Sequence, residues 1–208
     1  TDQREPPLSD FLRMDLDRAS AAGDPIITSV GRWRYHVKML DRVAIFPLHA
    51  GKLSTGKLTG RFEGRLFGNR ELARESNDVV IDVREPPKEG RPLGYRLGDV
   101  GRFKLSAEVE PRSTTVGETV AVRVRVTGRG QLPSQLDLPR RTGIEWLEPE
   151  KREELSVQNG KIGGWRSLGY AVRFREQGEV PLCSIELSYW DPERRHYETA
   201  SVELGNVL

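Results

Sequence analysis

Two stretches of strictly alternating apolar and polar residues lie between positions 101 and 127, on either side of a polar turn. Residues 103–109 alternate in this way, and valine occupies every second position from 120 to 126. A period of two puts one apolar face of each strand towards a core and one polar face towards water. The pattern therefore predicts an antiparallel β-sandwich. We expect the following side chains to be buried in its core: Val120, Val122, Val124, Val126, Tyr170, Val172 and Phe174.

A proline- and glycine-rich segment at residues 86–99 interrupts regular strand pairing. Similar phrases, Trp33-x-Tyr35 before it and Leu168-x-Tyr170 after it, suggest one domain type used twice. A chain of 208 residues is long enough for two domains of immunoglobulin size. The sequence thus predicts an all-β protein with two tandem Ig-like antiparallel β-sandwich domains, at residues 1–85 and 100–208, joined by a linker at residues 86–99.

The two predicted domains differ in completeness. Nothing ahead of Trp33 matches the paired strands at residues 101–127, so the first domain is expected to be the C-terminal part of an Ig-like repeat, incomplete at its N-terminus. Residues 6–22 are expected to be irregular with one helical turn, since their apolar residues fit both a helical face and a strand. In the second domain, Asn159-Gly160 predicts a tight hairpin because a type I′ turn requires positive φ at both central residues.

Charge and cysteine content exclude several classes of protein. The chain has 33 basic and 31 acidic residues, which leaves no broad positive field for nucleic acid. It contains no run of about 20 apolar residues, so no membrane span is expected within it. The single cysteine, Cys183, excludes an internal disulfide and a cysteine-based zinc cluster. We expect Cys183 to be a buried, inert thiol on a strand face that it shares with Ile185 and Leu187.

Catalytic motifs are missing from the sequence. There is no GxSxG, P-loop, HExxH or GxGxxG pattern, and the histidines His36, His49 and His196 are far apart. Asp15 and Asp17 resemble the start of a calcium loop whose glycine and terminal glutamate are lacking. We therefore expect no enzyme activity, no catalytic residues, no metal site and no cofactor.

Trp190 and Tyr197 are the candidate partner-binding residues. If Tyr189 faces the core, Trp190 faces outward by strand parity, and Tyr197 lies beside it on the returning strand. An outward tryptophan can anchor a protein partner or stack on a sugar ring. Coverage of Trp190 by the neighbouring linker or domain is the competing interpretation.

Several phrases of the chain resemble the aerotolerance BatD family, which is also called the oxygen-tolerance family. They are RWRYHVKMLDRVAIFPLHAG at residues 32–51, the strand and linker at 79–92, the segment 100–120, FLRMDLD at 11–17 and the ending at 188–197. The resemblance covers most of the chain, and its motifs are largely those that begin and end strands of a β-sandwich.

The resemblance implies tandem Ig-like domains on the periplasmic face of the bacterial inner membrane, anchored by a C-terminal span outside this sequence. It also implies action with von Willebrand A-domain proteins and a MoxR-type ATPase, and it supplies no catalytic residues. We expect the chain, which starts with Thr1, to be an excised or processed piece of such a protein. The predicted function is a non-enzymatic protein-interaction module of an envelope complex involved in oxygen and stress tolerance. The alternative is a carbohydrate-binding β-sandwich domain that uses Trp190 and Tyr197.

Overall fold

A computed structural model describes residues 2–4, 6, 8–16, 25–39, 41–62, 72–158 and 160–208. All regular elements in these ranges are β-strands, and every strand pair is antiparallel, as predicted. No helix with the length and hydropathy of a membrane span occurs in this described part. Contacts along the chain divide it into two compact units, Thr1–Pro86 and Pro87–Leu208.

The second unit is an antiparallel β-sandwich. Its strands are β10 (Gly101–Glu110), β11 (Thr119–Gly130), β12 (Ile144–Trp146), β13 (Glu150–Gln158), β14 (Lys161–Phe174), β15 (Val180–Pro181), β16 (Ser184–Asp191), β17 (His196–Glu203) and β18 (Asn206–Val207). One sheet has the order β10-β11-β14-β12, and β13 pairs with β14 beyond the end of β12. Two-stranded ladders β16-β17 and β15-β18 supply the strands that face this sheet across the core.

Alternating side chains of both layers fill one hydrophobic core. The four valines of β11 at positions 120–126 are 0% exposed, and Tyr170, Val172 and Phe174 of β14 are buried with them. The register places Val122 opposite Val109 on one side and Tyr170 on the other. From the facing layer, Ile185 and Leu187 complete the same cluster. The core residues predicted on β11 and β14 are therefore confirmed.

The predicted hairpin is present between β13 and β14. Gln158 pairs with Lys161, which leaves a two-residue turn, and Gly160 has a φ of +73° that suits glycine. Asn159 lies outside the described residues. Further along β14, Gly164 has a φ of +147°, and a Cβ there would lie 2.0 Å from the carbonyl oxygen of Glu154. Only glycine fits where the backbones of β13 and β14 approach each other this closely.

The first unit consists of short antiparallel pairs. Its strands are β1 (Asp2–Arg4), β2 (Phe11–Asp15), β3 (Ile26–Val30), β4 (Trp33–Val37), β5 (Val43–Pro47), β6 (Gly51–Ser54), β7 (Thr59–Phe62), β8 (Leu72–Glu75) and β9 (Val80–Val83). The sheets are β1-β7-β8, β2-β5, β3-β4 and β6-β9. Among its described residues, Phe11 and Leu53 are the buried hydrophobic side chains.

One expectation for the first unit is wrong. Residues 11–15 form strand β2 paired with β5, because the alternation of Leu12 and Met14 prevails over the helical spacing. Three strands precede Trp33, and β1, β2 and β3 pair with β7, β5 and β4, respectively, and not with one another. The repeated phrases also pack differently: Trp33 and Tyr35 lie in an exposed hairpin, whereas Leu168 and Tyr170 lie in the central strand of a sheet.

Candidate functional site

Trp190 and Tyr197 lie side by side on the face of the β16-β17 ladder that points away from the core. The register pairs them directly, and their ring centroids are 4.9 Å apart in an edge-on arrangement. Tyr189 and Asp191, the sequence neighbours of Trp190, are buried on the opposite side. The structure therefore places both predicted residues together, with the strand parity expected from the sequence.

Residues 87–99, here called the strap, cover this aromatic pair. The Tyr197 hydroxyl donates a hydrogen bond to the Pro87 carbonyl oxygen at 2.6 Å and accepts one from Arg91 Nε at 3.2 Å. The Tyr95 ring packs edge-on against Tyr197 with 5.0 Å between centroids, and the Arg91 guanidinium lies 5.3 Å above the Tyr95 ring. As a result, Trp190 and Tyr197 are half-buried instead of open to solvent.

The last residue of the strap is fixed to the backbone of the same strand. The Trp190 amide donates to the Asp99 carbonyl oxygen at 2.9 Å, and Val100 forms a parallel bridge with Trp190. The Asp99 side chain is buried, and burial raises the pKa of its carboxyl to about 6, although nearby Arg96 opposes the rise. Burial therefore disfavours the carboxylate relative to the neutral acid, although the ionised form still predominates at pH 7.

Sugar stacking is not favoured by this arrangement. A sugar ring packs against an open aromatic face. Here the planes of Trp190 and Tyr197 meet at 64°, and Tyr95 packs on the latter. The pair does not form a flat open platform, so the carbohydrate-binding alternative has little geometric support.

A charged cluster closes the β16-β17 hairpin next to these aromatics. Asp191 is 1% exposed and accepts hydrogen bonds from the backbone amides of Glu193 at 2.8 Å and Arg194 at 3.1 Å, and from Arg102 Nε at 3.0 Å. Desolvation by burial would raise the pKa of Asp191, but the Arg194 amide, the Arg102 guanidinium and the Glu193 amide outweigh it and lower the pKa. Because Arg102 lies on β10, this contact ties the two layers of the sandwich together.

The inner side of the hairpin carries a second polar contact. The Tyr189 hydroxyl donates to Glu198 Oε2 at 2.7 Å, and Arg194 Nη1 lies 2.6 Å from Glu198 Oε1. These bonds lower the pKa of Glu198, while burial and the bond to Glu198 raise the pKa of Tyr189 to about 12. Apart from the alternating charged residues, no feature of the sequence predicts this network.

The histidines are not brought together into a catalytic arrangement. His36 lies on β4 and His196 begins β17, where its Nε2 contacts Glu198. His49 pairs with Asp10 at 3.2 Å and with the Ala50 carbonyl oxygen at 3.1 Å, and these two partners raise its pKa. All three side chains are exposed. They give no nucleophile and base pair.

The prediction of a buried thiol is wrong. Cys183 is exposed and has a φ of +61°, since it lies in the short connection between β15 and β16, before β16 begins at Ser184. Ile185 and Leu187, which the alternation placed on the same face, are buried as expected. Asp17, the second member of the suspected calcium loop, lies outside the described residues. Within the residues that are described, no group of three or more His, Cys, Asp or Glu side chains could hold a metal ion.

A second surface stands out on the β3-β4 hairpin, here called the ribbon. Its register pairs Ile26 with Val37, Thr28 with Tyr35 and Val30 with Trp33. Cross-strand partners share one face of a ladder, so these residues form a single face, apolar except for Thr28. All of them except Thr28 are exposed, and Trp33 reaches 61%. The similarity of Trp33-x-Tyr35 to Leu168-x-Tyr170 predicts a repeated domain type and gives no signal that this face is exposed.

The opposite face of the ribbon is polar apart from Ile27, which is exposed. It carries the pairs Ile27 with His36 and Ser29 with Arg34. In the turn, the Arg32 guanidinium lies 5.3 Å above the Trp33 ring. The ribbon is therefore amphipathic, with an apolar face that is open in the described structure.

Comparison with known families identifies the second unit. A family model described as the BatD DUF11 like domain matches residues 107–205, a segment that runs from β10 to just beyond β17. Neither the comparison with curated proteins nor that with solved structures gave a match. The resemblance predicted from the sequence is thereby confirmed for the β-sandwich that carries Trp190 and Tyr197. Residues 107–205 of this chain are therefore similar to the BatD DUF11 like domain.

Proposed function

We propose that the chain is a non-enzymatic protein-interaction module of a BatD-type complex of the cell envelope. The observation that carries the proposal is the exposed apolar face of the ribbon in the first unit. Contiguous exposed apolar side chains on a folded surface mark interaction sites, because leaving them in water costs free energy. The similarity of the second unit to the BatD DUF11 like domain sets the family context for such a complex.

The chemistry of the ribbon suits a protein partner. Trp33 and Tyr35 supply large, rigid aromatic surface, and Val30, Ile26 and Val37 extend it along the two strands. Aromatic residues at the centre of an interface contribute most of its binding energy. The partners expected from the resemblance are von Willebrand A-domain proteins and a MoxR-type ATPase system. The proposed setting is the periplasmic face of the bacterial inner membrane, and the proposed role is in oxygen and stress tolerance.

The test compares the two faces of the ribbon. Trp33→Ser removes the largest aromatic side chain of the apolar face, and His36→Ser changes an exposed residue on the opposite face of the same strand. Binding of each purified variant to a von Willebrand A-domain protein of the BatD system is measured by calorimetry. Trp33→Ser should weaken binding by about 2 kcal/mol or more, whereas His36→Ser should leave it unchanged. If both variants and the parent chain bind with equal affinity, the proposal that the ribbon is the docking surface is refuted.

A further inference from the structure

The strap packs on Trp190 and Tyr197 of the second unit, and its side chains and backbone groups indicate what kind of segment this surface can bind. The strap approaches Trp190 and Tyr197 with Pro87 at one end, Arg91 and Tyr95 in the middle and Asp99 at the other end. Together with the two residues before it, the first part of the strap reads EPPKEGRPLGY at residues 85–95. The strap follows a series of turns and not an extended polyproline helix. Its prolines restrict the backbone before binding, so less conformational entropy is lost.

The Tyr197 hydroxyl is the centre of these contacts. It donates to the Pro87 carbonyl oxygen at 2.6 Å and accepts from Arg91 Nε at 3.2 Å, so both its donor and its acceptor functions are used by the strap. Proline has no amide hydrogen, and its carbonyl oxygen remains the backbone group that a donor on the surface can bind. The Tyr197 hydroxyl therefore binds both the Pro87 carbonyl oxygen and the guanidinium of Arg91, four residues later.

Aromatic packing accompanies these hydrogen bonds. Trp190, Tyr197 and Tyr95 stack edge to face in series with centroid spacings of 4.9 and 5.0 Å, and the Arg91 guanidinium lies over the last ring. Gly94 passes close to the ladder, where a Cβ would lie 3.6 Å from Ser188 Oγ. The first two rings belong to the ladder, and the third belongs to the strap.

We propose that the outward face of β16-β17 around Trp190 and Tyr197 is a binding surface for proline-rich segments that carry an arginine after the prolines, and that the strap is its resident occupant. A partner segment of the same chemistry competes with the strap for Tyr197. The strap is covalently attached, so its effective concentration at the surface is of the order of millimolar or above and suppresses weak competitors. Release of the strap would therefore control access to the surface. This surface is separate from the ribbon, so the inference does not depend on the proposed function.

The test supplies the strap sequence in trans. The probe is a synthetic peptide of residues 85–95, labelled with a fluorophore, and binding to the full chain is followed by fluorescence anisotropy. In the chain, Pro87→Gly and Arg91→Ala together weaken the resident strap without changing the ladder. The doubly substituted chain should bind the peptide at least tenfold more tightly than the parent chain. Adding Tyr197→Phe to this chain should abolish the increase in peptide affinity, because the hydroxyl that binds the strap is lost. A peptide of scrambled sequence should not bind.

Two results would overturn the proposal. One is equal peptide affinity for the parent chain and the doubly substituted chain, which would show that the strap does not compete for the surface. The other is a fall in the melting temperature of the doubly substituted chain as large as that caused by Val122→Ala in the core, which would make the strap an integral part of the sandwich. Retained melting temperature with increased peptide affinity supports the proposal.

Discussion

Replacing Asp191 with asparagine should lower the free energy of unfolding of the second unit by about 1.5 to 3 kcal/mol at pH 7. The side chain is 1% exposed and receives two backbone amides of the turn together with the Arg102 guanidinium. Asparagine keeps one carbonyl oxygen for the two amides. Its amino group would point at Arg102, so a donor would face a donor and the charge-assisted bond would be lost.

Asp191→Ala should cost more, about 3 to 5 kcal/mol, because it removes every acceptor from a buried site. The matched control is Glu193→Gln. Glu193 contacts the same Arg102 and also Lys161, but its side chain is about half exposed, and exposed ion pairs contribute little. This substitution should leave stability unchanged within the error of measurement.

The assay is urea unfolding of the full chain followed by tryptophan fluorescence. Trp33 is the only tryptophan of the first unit, so a Trp33→Phe background leaves Trp146, Trp165 and Trp190 to report on the second unit. Equal midpoints for Asp191→Asn and Glu193→Gln would refute the reasoning, since the buried carboxylate would then contribute no more than an exposed one.

The pH dependence of this effect has a definite sign. The pKa of Asp191 is lower in the folded protein than its ordinary value of 3.8, so the unfolded state takes up a proton first as the pH falls. The stabilisation by Asp191 is therefore complete above about pH 4 and is lost as the pH falls through the folded pKa. The difference between parent and Asp191→Asn should accordingly be constant from pH 5 to 8.

Three further predictions concern the second unit. Val122→Asp should unfold it, because an unpaired buried charge costs several kcal/mol against a total of about 5 to 15, while Arg123→Asp on the outer face should be mild by thermal melting. Asp99→Asn should stabilise the unit by up to about 3 kcal/mol above pH 6, because the pKa raised from 3.8 to about 6 makes the buried carboxylate unfavourable. It should have no effect below about pH 4, and urea titrations at both pH values check this. Gly164→Ala should cost more than about 2 kcal/mol because its Cβ would meet the Glu154 carbonyl oxygen, as a denaturation midpoint would show.

The core of the second unit could be predicted from sequence because its determinants are local. Alternation over 120–126 fixes which valines point inward, and no competing period exists in that stretch. The Asn159-Gly160 pair likewise fixes a hairpin by its backbone requirements alone. In residues 11–15 the apolar residues fit both a helical and a strand period, so the sequence does not decide between helix and strand. The pairing of β2 with β5 decides for the strand.

The contacts of the candidate site could not be predicted because they join residues that are distant in sequence. Strand parity placed Trp190 beside Tyr197 correctly. That Tyr197 binds Pro87, or that Asp191 binds Arg102, depends on where the strap and β10 lie in three dimensions. The ribbon was missed for a related reason. An alternating strand has an apolar face whether or not anything covers it, so the sequence predicts the face and not its exposure.

The two surfaces of this chain differ in what they require of a partner. The apolar face of the ribbon is open in the described structure, so a partner gains the full free energy of burying Trp33 and its neighbours. The face around Trp190 already packs against the strap, and a competitor gains only the difference between its own contacts and those of the strap. Affinity should therefore come from the ribbon, while Tyr197 selects a partner segment by its prolines and arginine. A partner that engaged only Tyr197 would have to outcompete a covalently attached segment, so binding through the second unit alone should be weak.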